Sequence, residues 1–352
     1  MAGGFRFDLK PEDAAWHPDE SANFFELWDC YSLFNDGGGC FIDFFYRPWY
    51  PILDYYPEEA GKPLCLINVV TPEGERYVSR KSYSDSEFKA SKETLDVAIG
   101  ENRLKGKFDS NGGYKELYVK MSGENVAAEL TYNVKIGAMK MTERDDNLTY
   151  FNPVDKKYFG WFIIGSKSEV EGTVTINGKT RQVKGVGFNN YNRGNIKFDL
   201  QSRWFFSHIH AGDYTLTYND STASKRHSYA HFTPLVLWKG DEVIMQTTNC
   251  VAYGERYVID PESGGPYPIE ETFRATQGDM QITGYMGPGV LADSIKITDV
   301  PGLPFDQENP CFHSFQISDV TLIISNGKHI EKVKGRALRE FLWADQWFPF
   351  KG

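Results

Sequence analysis

The chain reads as an all-β protein, and three observations predict that class. Turn signals of the hairpin type recur along its 352 residues, alternating runs flank them, and aromatic residues reach 15%. Asn-Gly between two such runs favours a tight hairpin, because both central residues of that turn need positive φ. Aromatic side chains pack well on a pleated surface, and they also line apolar enclosures. A hydrophobic content of 41% and a charged content of 24% fit a globular chain.

The elements follow in order. Asn35-Asp36-Gly37-Gly38 turns the chain into an alternating run from Gly39 to Tyr46. Gly37-Gly38-Gly39 lacks the Lys and the helix of a phosphate loop, so it is read as a turn. Pro72-Glu73-Gly74 is the next turn signal, and Ser84 to Ser91 carries a weak helical pattern that also suits a loop. Ser110-Asn111-Gly112-Gly113 leads into the run Tyr114 to Met121. Thr173 to Ile176 ends at Asn177-Gly178, Tyr214 to Tyr218 forms another run, and Val320 to Ile324 ends at Asn326-Gly327. Ala337 to Trp347 has the best helical pattern and predicts a short C-terminal helix.

One hairpin occurs twice. Thr173-Val174-Thr175-Ile176-Asn177-Gly178-Lys179 leads to Val183-Lys184-Gly185, and Thr321-Leu322-Ile323-Ile324-Ser325-Asn326-Gly327-Lys328 leads to Val333-Lys334-Gly335. Two β-domains of one plan would place it at equivalent positions. The polar stretch Asn219 to Lys225 has no apolar period, which puts the boundary between domains 1–222 and 223–352.

A net charge of −10 and the lack of a basic run argue against a nucleic-acid partner. No apolar stretch approaches the length of a membrane-crossing helix, so no membrane insertion is expected. The opening Met1 to Asp8 lacks the apolar core of a signal peptide. Cys30, Cys40, Cys65, Cys250 and Cys311 are odd in number and unpatterned, which predicts reduced, buried thiols in a cytoplasmic setting. The glycosylation sequons at Asn147 and Asn219 are then chance matches. Nothing in the sequence fixes an oligomeric state.

The candidate site lies in two neighbouring segments. Gly185-Val186-Gly187-Phe188-Asn189-Asn190-Tyr191-Asn192-Arg193-Gly194 reads as a polar loop bracketed by glycines. Trp204, Phe206, His208 and His210 recur at every second position of the following run, so a strand would carry them on one face. Aromatic walls with a few polar handles suit a small hydrophobic substrate. Trp28, Trp161, Trp204 and Phe206 are the candidate walls, and Asn189, Asn190, Tyr191 and Arg193 the candidate donors. The amides have an alternative role in closing a turn on its own backbone. His208 and His210 are candidate acid–base groups, candidate wall residues or, with His227, His231 or Asp213, candidate metal ligands; no fixed spacing supports the last. His227, Tyr229 and His231 would share a face if that segment is a strand, which makes Tyr229 a candidate contact. Ser207 lacks a nucleophile elbow, and Asp145-Asp146 reads as a solvated turn.

Several motifs resemble the carotenoid hydratase (hydroxyneurosporene synthase) and lipocalin-like superfamily. They are Glu26-x-Trp28, Phe34-Asn35-Asp36-Gly37, Phe159-Gly160-Trp161-Phe162-Ile163-Ile164, Val170-Glu171-Gly172-Thr173, Asn177-Gly178-Lys179, Gly185-x-Gly187-Phe188, Trp204 and Gly212-Asp213-Tyr214-Thr215, in that order over roughly residues 24–220. The resemblance implies two consecutive lipocalin-like (calycin-type) antiparallel β-barrel domains and a cavity for a long unsaturated molecule. It adds Glu26 as a pocket residue. Members include hydratases and fungal decalin-forming Diels–Alderases, and the ring closure needs no metal or organic cofactor. Where the hydratase pattern has Asp, His and Trp, this chain has Asn190, Tyr191 and Arg193. An amide cannot protonate an alkene. The expected activity is therefore a cofactor-independent cyclisation or isomerisation of an apolar polyene or isoprenoid-type intermediate. A hydratase with a relocated acid, such as a His or Glu26, and a non-catalytic carrier of a hydrophobic ligand are the alternatives.

Overall fold

The computed structural model describes residues 4–21, 24–47, 61–109, 112–142, 146–154, 156–195, 201–223, 225, 228–297 and 311–344. The chain divides into two compact units between residues 196 and 197. Each is built on one antiparallel sheet.

The first unit holds β1 (Phe25–Phe34), β2 (Gly39–Tyr46), β3 (Leu64–Val70), β4 (Arg76–Ser82), β5 (Phe88–Ala90), β6 (Asp96–Ile99), β7 (Asn102–Asp109), β8 (Gly113–Ser122), β9 (Val126–Ile136), β10 (Met139–Lys140), β11 (Tyr150–Asn152), β12 (Lys157–Ile176) and β13 (Lys179–Gly194). Their order is β4-β3-β2-β1-β13-β12-β9-β8-β7-β6-β5, with β10 and β11 against β12. Each sheet packs on its own core. In the first, Trp28, Phe44, Leu104, Tyr132, Phe162 and Tyr191 meet in a single apolar cluster.

The second unit holds β14 (Gln201–Ala211), β15 (Tyr214–Ala223), β16 (His231–Phe232), β17 (Leu235–Lys239), β18 (Glu242–Thr247), β19 (Cys250–Ile259), β20 (Pro266–Gln277), β21 (Met280–Ile297), β22 (Cys311–Ser325) and β23 (Ile330–Trp343). Their order is β18-β17-β15-β14-β23-β22-β21-β20-β19, with β16 against β15. Phe205, Ile209, Leu216, Phe273, Leu322 and Phe341 lie in its core. Among the described residues no α-helix forms, and 3₁₀ turns lie at Pro11–Ala14 and Asp85–Glu87.

The all-β class and the two-sheet plan are as expected. Turns form at Asn35 to Gly38, at Pro72 to Gly74, and at Asn177-Gly178, where both residues have positive φ. The repeated hairpin is β12–β13 in one unit and β22–β23 in the other; in each, its second strand pairs with the unit's first.

Three expectations are corrected. Ala337 to Trp343 is strand, not helix: it continues β23, and Ala337, Leu338, Arg339, Phe341 and Leu342 are all buried. A strand buried on both faces loses its period-2 pattern and reads like a helix. Residues 345–347 of that reading lie outside the described residues. Ser84 to Ser91 is a 3₁₀ turn followed by a strand. The polar run Asn219 to Ala223 is not a linker but the end of β15, so the expected boundary at 222/223 falls inside the second unit. Asp220 is fully buried there and accepts the Ala252 amide at 2.7 Å, which gives its polar side chain a reason to lie in a strand.

Candidate functional site

Gly185 to Gly194 is no loop but the second half of β13. Its glycines permit close approach of a neighbouring strand, not a turn. A Cβ on Gly185 would lie 2.0 Å from the Leu33 carbonyl oxygen, and one on Gly187 2.3 Å from that of Tyr31. Strand geometry then sends adjacent residues to opposite faces. Asn189, Tyr191 and Arg193 share the inner face with Cys30, Trp28 and Glu26; Asn190 and Asn192 share the other with Asp29 and Trp161. The residues expected to form one constellation are divided between two.

On the inner face, Tyr191 donates from its hydroxyl to Glu26, which is fully buried. His17 Nδ1 stands 2.8 Å from the same hydroxyl and 3.2 Å from Glu26 Oε1. Burial, and then the Glu26 charge, pushes the Tyr191 hydroxyl well above its ordinary range, so it stays a donor. The His17 backbone N–H points at both Glu26 oxygens, at 3.1 and 3.2 Å. Around this point the N-terminal segment is anchored repeatedly. Trp28 Nε1 donates to the Ala14 carbonyl at 2.9 Å, and Tyr114 to that of Pro11 at 2.7 Å. Asp13 takes the buried Lys140 ammonium and the Asn147 amide, each at 2.7 Å. Glu26 and Trp28 thus fasten this segment, a role the sequence reading did not assign to them. His17 was not singled out at all. Asn189, fully buried, receives the Ser168 hydroxyl at 3.5 Å. Arg193 is half-buried and donates to the Asp146 carbonyl at 3.1 Å.

On the other face Asn190 is a bridge. Its carbonyl oxygen accepts Trp161 Nε1 at 2.6 Å, and its amide donates to Asp29 Oδ2 at 2.8 Å. Asn192 donates to the same oxygen at 3.3 Å. Asp29 is 2% exposed, Asn190 5% and Trp161 4%. Asp43 stands directly opposite Asp29 on β2 and is equally buried. Tyr31, Phe41 and Phe188 continue this face as a packed aromatic group, with ring centroids 4.8 and 5.3 Å from Tyr31. Asp29 and Asp43 were missed by the sequence reading. The available signal was one acid in the middle of each of two apolar runs, Leu27 to Tyr31 and Gly39 to Tyr46.

In the second unit Trp204, Phe206, His208 and His210 do share one face of β14, as alternation requires. His208 Nδ1 pairs with Thr217 Oγ1 at 2.6 Å, and His210 Nδ1 with Thr215 Oγ1 at 3.4 Å. The two imidazoles meet edge to face with centroids 4.8 Å apart, and Trp204 packs on His313 at 5.1 Å. Among the described residues no three His, Cys, Asp or Glu side chains are grouped to hold a metal. His231 lies 3.7 Å from Asp220 and is half exposed; His227 lies outside the described residues. Tyr229 is not on a shared strand face: it sits in a turn with positive φ and is 40% exposed, which removes it from any wall.

Among the described residues no helix is long and apolar enough to cross a membrane. No protein-family model and no curated protein sequence matches the chain. Solved structures do. CghA with Sch210972 aligns over 98% of this chain and 98% of that one at 13% identity, with a TM-score of 0.66. Kievitone hydratase from Nectria haematococca aligns over 96% and 99% at 15% identity, with a TM-score of 0.57. A candidate AttH from Nitrosomonas europaea aligns over 96% and 98% at 12% identity, with a TM-score of 0.63. The chain therefore has the fold these proteins share, the two consecutive lipocalin-like β-domains that its resemblance to the carotenoid hydratase superfamily implied.

Proposed function

We propose that the protein is an enzyme that folds a flexible, mostly apolar polyene or isoprenoid-type intermediate and directs its cyclisation or isomerisation without a cofactor. The observation that supports this most is the Trp161–Asn190–Asp29 bridge. An amide that does not titrate is held at both ends on a buried aromatic face. Its amide nitrogen carries a second N–H. That donor can polarise a carbonyl attached to the reacting alkene, and it needs no reorganisation when charge shifts toward the oxygen. The aromatic group Tyr31, Phe41 and Phe188 supplies the shape that brings the ends of a polyene together. In such a ring closure a diene and an alkene exchange three π bonds for two σ bonds and one π bond, and no proton moves.

A second reading has its own support. Asp29 and Asp43 are opposed, buried carboxylates beside the position of the replaced acid. A carboxyl at this place is the relocated acid a hydratase would need. Kievitone hydratase shares the fold.

Purified protein incubated with conjugated trienes bearing an electron-poor alkene tests both readings. Ring closure above the uncatalysed rate, with no oxygen from ¹⁸O-labelled water in the product, is the expected result. Incorporated label supports the hydratase instead. A bound, unchanged ligand with no acceleration for any candidate overturns both and leaves a carrier.

A further inference from the structure

Both copies of the repeated hairpin turn on the same tripeptide, Asn177-Gly178-Lys179 and Asn326-Gly327-Lys328. The structure builds the two turns differently. Ile176 pairs with Lys179, so the first is a two-residue turn closed directly by the ladder. Both central residues are left-handed, with φ of 48° at Asn177 and 76° at Gly178. The Asn177 side chain makes no hydrogen bond among the described residues. Ser325 pairs with Ile330, so the second turn spans four residues, Asn326 to His329. Of these only Gly327 is left-handed, with φ of 80°.

The longer turn engages its asparagine side chain. Asn326 Oδ1 accepts the backbone N–H of His329 at 2.9 Å and that of Lys328 at 3.2 Å. Its own N–H donates to the His329 carbonyl at 3.2 Å. Such bonds fold the side-chain amide back over its own loop. The Gly327 N–H meets Ser325 Oγ at 3.4 Å. Asn326 and Gly327 are both exposed, so water reaches them.

This arrangement favours one reaction. When the Gly327 nitrogen attacks Asn326 Cγ, negative charge develops on Oδ1. Two backbone N–H groups already point at that oxygen. Donors fixed in advance where charge develops lower a barrier. Gly327 has no Cβ to crowd its nitrogen. The Ser325 hydroxyl stands where it can take up the proton that the nitrogen loses and pass it to water.

We propose that Asn326-Gly327 is a self-modification site, at which the second hairpin converts its own asparagine to aspartate and isoaspartate. The bond from Gly327 N to Cγ forms, the bond from Cγ to Nδ2 breaks, and ammonia leaves. The product of that step is a five-membered succinimide, which water opens at either carbonyl. Nothing is oxidised or reduced, and water is the only co-reactant. The modified turn gains a negative charge, and the isoaspartate form adds one carbon to its backbone. Asn177 has the same Gly-Lys sequence after it but neither donor, and its clamped turn resists ring closure. This inference does not depend on the activity proposed for the first unit.

The full-length protein is kept at pH 8 in ¹⁸O-labelled water, folded and in guanidinium chloride. Label in the tryptic peptides is then followed by mass spectrometry; each tripeptide ends a separate peptide. In guanidinium chloride the two sites are expected to take up label at similar rates. Folding is expected to speed Asn326 by about tenfold or more, a modest share of what one oxyanion donor supplies in an enzyme, and to slow Asn177. That opposite response supports the site. Uptake at Asn326 that is no faster folded than unfolded overturns it, because the turn then protects its asparagine. Equal acceleration of both sites also overturns it, because the two donors are then not the cause.

Discussion

Gly335 stands in the second unit where Gly185 stands in the first. A Cβ on Gly335 would lie 2.0 Å from the His210 carbonyl oxygen, and one on Gly185 2.0 Å from that of Leu33. Each glycine is on the last strand of its sheet's repeated hairpin, facing the first strand of its unit. The sequence repeat is therefore a structural repeat, and the glycine is the residue both copies need. Neither backbone is left-handed, so the requirement is space. Gly185→Ala and Gly335→Ala are each expected to lower stability by about 1–3 kcal/mol, as overpacked positions do. Gly113→Ala, where a Cβ meets nothing within 4 Å, is expected to change it by less than about 0.5 kcal/mol. Urea denaturation midpoints decide the matter; a neutral Gly335→Ala would remove the equivalence.

These glycines also show where the sequence could be read and where it could not. Asn-Gly turns between alternating runs are local signals, and the hairpins at Asn177 and Asn326 formed where they pointed. A glycine that admits a neighbouring backbone is a long-range requirement, and in sequence it looks the same as a glycine in a loop. Reading Gly185 to Gly194 as a loop hid the alternation that separates Asn190 from Tyr191. Partners such as His17 for Tyr191 and Asp29 for Asn190 come from strands and segments far along the chain. Only register brings them together.

The Asn190 bridge makes a sharp prediction. Asn190→Leu removes one of two amide donors to Asp29 Oδ2 and the Asn190 acceptor of Trp161 Nε1, both inside the fold. A loss of about 2–4 kcal/mol is expected, from two buried hydrogen bonds removed, one of them to a carboxylate. Asn190→Asp sets a second carboxylate against Asp29 and raises the pKa of the pair in the folded state. A raised carboxylate stabilises fully below its unfolded value and loses that contribution as pH rises through the folded one. The deficit of Asn190→Asp relative to wild type should therefore be small at pH 4 and grow toward pH 8. A deficit that is constant over this range would show that Asn190 does not contact the Asp29 carboxylate. In the activity assay Asn190→Leu should slow ring closure, and Asn190→Asp should bring in label from water if the hydratase reading holds.

All five cysteines are buried and unpaired. Burial pushes the thiols of Cys30, Cys40, Cys65, Cys250 and Cys311 upward, which removes the thiolate that reacts. The folded protein should release no chromophore from an aromatic disulfide reagent within minutes at pH 8, and all five thiols should react once it is denatured. A fast-reacting thiol in the native protein would contradict the burial of at least one of them.

The N-terminal segment gives the last prediction, through Asp19. This carboxylate accepts the Ser21 amide at 2.6 Å and the Tyr158 hydroxyl at 2.5 Å, and the Ser21 hydroxyl as well. Burial works against its charge, but these hydrogen bonds outweigh it and hold the carboxyl below its ordinary range. A depressed pKa contributes stability above the unfolded value, near 3.9 for Asp. That contribution disappears as pH falls through the folded value. Asp19→Asn keeps the shape and removes the titration. Its stability deficit should be constant between pH 8 and 5, then shrink below about pH 4, where the wild-type carboxyl takes up its proton. Tyr158→Phe, which deletes one donor and leaves the carboxyl, should shift this acid limb to higher pH. If the wild-type and Asp19→Asn curves run parallel down to pH 3, Asp19 is solvated, and the clasp between the N-terminal segment and β12 does not exist in solution.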